Sequence, residues 1–146
     1  MSLESVEILL VEDNDDDALM IQEAFSEANV VNHIHRVKDG EEAMAYLRKQ
    51  GQYKTADLPG LVLLDISMPK KDGFQVLQEI KSDPQLKQLP IIMLTTSSRE
   101  EDIVRSYSQG ACSYVTKPVG FQKFTEVVRQ FHLYWTLVSK LPGPRR

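Results

Sequence analysis

Cysteine is almost missing from this sequence: Cys112 stands alone among 146 residues. One thiol excludes an intramolecular disulfide framework and suits a reducing compartment. Long apolar runs are missing too. None exceeds five residues, and runs of about four such as Ile8–Val11 and Leu61–Leu64 are typical, far short of the roughly 20 that span a bilayer, and no signal-peptide pattern opens the chain. Basic excess is lacking as well. Lys and Arg number 17 against 21 Asp and Glu, a net charge of −4, which argues against nucleic acid held by general electrostatics. Internal repeats and low-complexity segments are absent. What is present is 42% hydrophobic and 26% charged residues, ordinary for a globular protein. A chain of this length makes one domain and buries about 68–70% of its unfolded surface. The expectation is a single soluble domain, cytoplasmic, with no membrane and no nucleic-acid partner.

The charge is unevenly spread. Glu4, Glu7, Glu12, Asp13, Asp15, Asp16 and Asp17 put seven acids in the first 17 residues, with no lysine or arginine among them. Such a cluster is either a solvated face or a cation site.

Short apolar runs alternate with amphipathic stretches along the chain. Val6–Val11 reads as a strand, and a helix from about Asp16 to Ala28 follows, with Ala18, Ile21, Phe25 and Ala28 on one side. Asn32–Val37 is a weaker strand, and Asp39-Gly40 opens a helix carrying Ala43, Met44 and Leu47. Gly51–Pro59 has loop composition, and Leu61–Leu64 is the third strand. Phe74–Lys81 repeats the helical pattern and stops before Asp83-Pro84. Ile91–Thr95, a charged helix over Ser98–Ser108, a strand over Cys112–Thr116 and a long helix over Phe121–Val138 complete the series. Strands written as continuous apolar runs belong to a sheet covered on both faces. Five β/α units imply an α/β fold, a doubly wound five-stranded parallel sheet flanked by five helices. The domain core is expected over about 6–138, with 139–146 as a C-terminal tail.

In an open parallel sheet, ligands bind beyond the carboxyl ends of the strands. Those ends carry Glu12-Asp13, Asp65, Thr95-Thr96 and Lys117-Pro118. Each residue has an ordinary explanation by itself: loop acid, helix cap, β-branched strand residue, surface lysine. Four such coincidences on one rim make a poor joint account. Crowded carboxylates repel one another, and a divalent cation relieves the repulsion. Magnesium suits oxygen ligands. A threonine and a lysine alongside fit the oxygens of an incoming phosphoryl group, so the set suits phosphoryl transfer to a carboxylate. Asp15–Asp17 are assigned to the start of the first helix, where acids complement the dipole.

The segments ILLVEDN (8–14), LVLLDISMPKKDG (61–73), PIIMLTTSS (90–98) and GACSYVTKPV (110–119) together resemble the response-regulator receiver domain of two-component signalling, with its flavodoxin- or CheY-like sheet. The resemblance covers Val6 to about Val138. It implies that Asp65 is the phosphoacceptor, that Asp13 binds magnesium directly and Glu12 largely through metal-bound water, and that the backbone carbonyl of Ser67 completes the protein ligands. It implies that Thr95 and Lys117 meet phosphoryl oxygens, and that Thr95 and Tyr114 form the switch repacking the surface of the fourth helix, fifth strand and fifth helix. Departures are Thr96, where alanine or glycine is commoner, Gly120, where aspartate is commoner, and a connection over Gly51–Pro59 longer than the minimal receiver's.

With no output domain expected after the last helix, the signal is expected to leave through protein contact. A sensor histidine kinase is the implied phosphodonor, and the ending resembles single-domain regulators that partner phytochrome-type kinases. The downstream partner is a protein target or a histidine phosphotransfer protein. The last helix carries a broad apolar stripe with Phe131, Tyr134, Trp135 and Val138, read either as core or as a homodimer face. The resemblance implies a switch rather than a turnover enzyme. A phosphorelay intermediate, a degenerate interaction module and an aspartyl-phosphate hydrolase of the haloacid dehalogenase type stay as alternatives.

Overall fold

The computed structural model describes residues 6–27, 32–66, 68, 71–95, 100–111 and 113–116. Its elements are β1 (Val6–Val11), α1 (Asp15–Glu27), β2 (Asn32–Val37), α2 (Gly40–Leu47), β3 (Leu61–Asp65), α3 (Gly73–Ser82), β4 (Ile91–Thr95), α4 (Glu100–Ser108) and β5 (Ser113–Thr116). The five strands form one sheet in the order β2-β1-β3-β4-β5, and every neighbouring pair is parallel. This is the doubly wound parallel sheet expected above. The long final helix expected over Phe121–Val138 lies outside the described residues. No helix among the described residues is long and apolar enough to cross a membrane.

Register explains how the continuous apolar strands are used. Leu9 and Val11 stand beside Val62 and Leu64, which stand beside Ile91 and Met93. These residues share one core cluster with Ala43, Met44 and Leu47 of α2 and with Phe74, Val76, Leu77 and Ile80 of α3. Successive strand residues face opposite sides. Ile8, Leu10, Leu61, Leu63, Ile92 and Leu94 therefore form a second buried set, which Ala18 and Ile21 of α1, also buried, fit from the other face. Two covered faces are why the inner strands β1, β3 and β4 are written as apolar runs without apolar/polar alternation.

Local chemistry sets the element ends. Asp39 caps α2, accepting from the Glu42 amide at 2.8 Å. Asp72 and Gln75 form a reciprocal capping box at α3. Asn14, rather than the aspartates expected there, supplies the cap acceptor at α1: its Oδ1 accepts from the Asp17 amide at 2.9 Å. Asp15, Asp16 and Asp17 occupy the first turn, where their charge complements the helix dipole.

The connection over Gly51–Pro59 is more ordered than its loop composition indicates. It contains a 3-10 turn, Gly51–Tyr53, and Tyr53 is buried. The Tyr53 hydroxyl donates to Glu42, and its ring meets Tyr46 edge-on at 5.1 Å and His35 at 5.5 Å. Burial, reinforced by the Glu42 contact, pushes the Tyr53 phenol above its ordinary pKa. The loop is thus fastened to β2 and α2.

Candidate divalent-cation and phosphoacceptor site

The topology reverses between β1 and β3: the chain leaves β1 outward to β2, then returns to β3 on the other side. Connections diverge there, which opens the crevice where such sheets bind ligands. Val11 stands opposite Leu64 in the register. One further step along both strands brings Glu12 level with Asp65, and Asp13 follows into the crevice. Glu12, Asp13 and Asp65 each offer a carboxylate oxygen, and these oxygens all lie within 4.8 Å of one another.

Burial differs among the three. Glu12 is 0% and Asp65 3% exposed, whereas Asp13 is exposed. Burying carboxylates this close is costly unless positive charge or hydrogen bonds offset it. Glu12 is held in place on several sides: its amide donates to the Val37 carbonyl at 3.0 Å, and its Oε2 accepts from the Asn14 amide at 3.1 Å. The donor set is all oxygen and anionic, with one member open to solvent. That chemistry fits a hard divalent cation that retains water, and does not suit a soft metal.

The loop after Asp65 is folded back tightly. The Ile66 amide donates to Leu94 at 2.8 Å, and the Gly73 amide donates to Ile66 at 2.8 Å. A Cβ at Gly73 would stand 2.4 Å from the Asp65 carbonyl oxygen and 2.7 Å from Ile66 Cα, so only glycine lets α3 start against the backbone of the buried aspartate. Gly40 plays the same part at α2, where a Cβ would stand 2.4 Å from the Lys71 carbonyl oxygen.

Thr95 ends β4 beside Thr116 of β5, and Tyr114 stands opposite Met93 in the same register. The backbone thus brings Thr95 to the carboxyl-end rim one position past Leu94, the residue level with Asp65. Ser67, Thr96, Lys117, Gly120, Phe131, Tyr134, Trp135 and Val138 lie outside the described residues.

Two contributors were not singled out in the sequence. Arg36 reaches from β2 to the acidic turn, with Nη1 2.7 Å from Asp15 Oδ1. This hydrogen bond, with the charges of Lys38 and Arg36, holds the Asp15 carboxyl below its ordinary pKa. On the far side, the guanidinium of Arg105 in α4 lies over the Phe74 ring, 4.0 Å from its centroid, a cation–π contact that joins α4 to the start of α3. An arginine in a strand or helix carries no local signal of such a distant acceptor.

Known proteins agree with this geometry. The model of the response regulator receiver domain matches residues 8–129. Response regulator Rcp1 of Synechocystis sp. is 38% identical over 136 residues, covering 93% of this chain and 92% of that protein. Among solved structures, the phosphorylated cyanobacterial phytochrome response regulator RcpA is 44% identical, with a TM-score of 0.82 over 96% of this chain and 100% of its own. The Mn2+-bound form of Rcp1 is 36% identical, with a TM-score of 0.80 over 96% of this chain and 99% of its own. A divalent cation is therefore bound by a relative of the same fold. The chain belongs to the response regulator receiver domain family of two-component signalling, in which regulators such as Rcp1 are signalling proteins rather than turnover enzymes and a histidine kinase is the implied partner.

Proposed function

We propose that this protein is a cytoplasmic response regulator in which Asp65 accepts a phosphoryl group from a histidine kinase in a Mg2+-dependent reaction. The observation that carries the reading is the convergence of Glu12, Asp13 and Asp65 within 4.8 Å at the switch point of the sheet. An Asp65 carboxylate oxygen attacks phosphorus, an acyl-phosphate P–O bond forms, and the P–N bond to the donor imidazole breaks. The imidazole takes the electron pair and then a proton. Asp13, Glu12, Asp65 and the Ser67 carbonyl would hold Mg2+, which supplies positive charge against both the crowded carboxylates and the phosphoryl oxygens. Thr95 hydrogen-bonds one phosphoryl oxygen and Lys117 pairs with another. Thr95 and Tyr114 then shift the population toward a state with a different surface at α4, β5 and the last helix.

Likeness to Rcp1 and RcpA along nearly the whole of their chains supports a phytochrome-type kinase as phosphodonor, and a protein target or histidine phosphotransfer protein as the next partner. The test is intact-mass measurement after incubation with acetyl phosphate. One phosphoryl addition is expected with Mg2+ and none in excess EDTA; a chain unmodified both by acetyl phosphate and by a phosphorylated kinase would contradict the reading.

The apolar stripe of Phe131, Tyr134, Trp135 and Val138 supports a homodimer through the last helix. Sedimentation is expected to give a dimer for the wild type and a monomer for Trp135→Ala. A monomer in both would remove the dimer.

A further inference from the structure

Arg36 grips the backbone of the turn that presents Glu12 and Asp13. It stands opposite Leu10 in the β1–β2 register. Its Nε donates to the Glu12 carbonyl at 2.8 Å, and its Nη1 donates to Asp15 Oδ1 at 2.7 Å. Those acceptors bracket Asp13 and Asn14, one just past the end of β1 and the other at the first residue of α1. A single rigid fork therefore spans the turn. With the Val37 carbonyl accepting from the Glu12 amide at 3.0 Å, β2 holds both backbone polar groups of Glu12.

The arginine is sheltered. Its side chain is 19% exposed, while that of Asp15 is 75% exposed. Arg36 Nη2 is buried and has no hydrogen-bond partner among the described residues. A guanidinium in that setting depends on the acceptors it has, and those acceptors are fixed in return.

We propose that Arg36 is a positioning residue for divalent-cation binding, its fork holding the turn over residues 12–15 in the shape that presents Glu12 and Asp13 toward Asp65. The inference rests on the cation-site reading of those three acids. Positioning and plain electrostatics predict opposite signs. A positive charge beside the site repels a cation, so an electrostatic role alone means tighter binding once Arg36 is removed. Lysine keeps the charge but lacks the planar fork.

The experiment uses the full chain, wild type, Arg36→Lys and Arg36→Gln, titrated calorimetrically with Mn2+ and with Mg2+ well below each protein's unfolding temperature. Amide hydrogen exchange is measured in the cation-free proteins. Both variants are expected to bind cations about tenfold or more weakly, the usual cost of removing a group that orients metal ligands. Amides of residues 13–17 are expected to exchange faster, with those of α3 unchanged. Equal or tighter binding by Arg36→Gln, or wild-type affinity in Arg36→Lys, overturns the proposal. If Arg36→Gln does not fold, Arg36→Lys decides alone. Wild type that binds neither cation overturns the cation-site reading itself, and the proposal with it.

Discussion

Asp65→Asn is expected to reduce phosphoryl incorporation from a single group per chain to background, with the far-UV circular dichroism of the folded protein retained. The substitution keeps the shape of a side chain that is 3% exposed, so it neither opens a cavity nor adds bulk. What it removes is the anionic oxygen pair. A neutral amide does not attack phosphorus as a carboxylate does, and it does not form an acyl phosphate. It also takes one negative charge from a set whose oxygens lie within 4.8 Å, so affinity for divalent cations should fall as well. Intact mass and cation titration check the two effects separately. A labelled Asp65→Asn protein would place the acceptor elsewhere in the chain.

Gly73→Ala is expected to damage stability and phosphorylation together. The added methyl meets backbone, the Asp65 carbonyl oxygen at 2.4 Å and Ile66 Cα at 2.7 Å, and not a flexible side chain that can swing away. Either α3 moves out or the end of β3 moves down. Overpacking of this kind costs about 1–3 kcal/mol, and a shift of about 1 Å at a reacting group can slow its chemistry about 100-fold. Gly51→Ala is the matched control. Its φ of +59° makes alanine strained, yet nothing lies within 4 Å of the added Cβ. A left-handed alanine costs about 1–2 kcal/mol, so Gly51→Ala should lower the denaturation midpoint and leave the phosphorylation rate alone. Wild-type phosphorylation kinetics in Gly73→Ala would mean that the Gly73 contact does not position Asp65.

The strands were the most legible part of the fold. The bounds read for β1, β2 and β4 coincide with those observed; for β1 and β4 the reason is that a strand covered on both faces is a compact apolar run. Helix ends were less so. The first helix begins at Asp15, one residue before the position read from its apolar spacing, because its cap is a side-chain contact from Asn14 that hydrophobic periodicity does not encode. Tyr53 was overlooked for the same kind of reason. One aromatic in a polar stretch has no period, and its burial depends on His35 and Tyr46 arriving from β2 and α2.

The candidate site divides along the same line. Glu12, Asp13 and Asp65 could be picked out because a rule of topology, ligands at the carboxyl ends of parallel strands, converts strand ends into neighbours. Arg36 could not. Its acceptors are a backbone carbonyl and an acid 21 positions away, and neither sequence spacing nor composition marks that pairing.

The most direct measurement is chemical trapping of the acceptor. The protein is treated with acetyl phosphate and Mg2+, reduced with borohydride, digested with trypsin and sequenced by mass spectrometry. Borohydride converts an aspartyl phosphate into homoserine. The peptide from Thr55 to Lys70 contains Asp57 and Asp65, so fragment ions distinguish the two. The account predicts homoserine at position 65 alone, and none when Mg2+ is withheld. Homoserine at Asp57 or Asp13 with Asp65 intact, or modification at 65 that is indifferent to divalent cations, would contradict it.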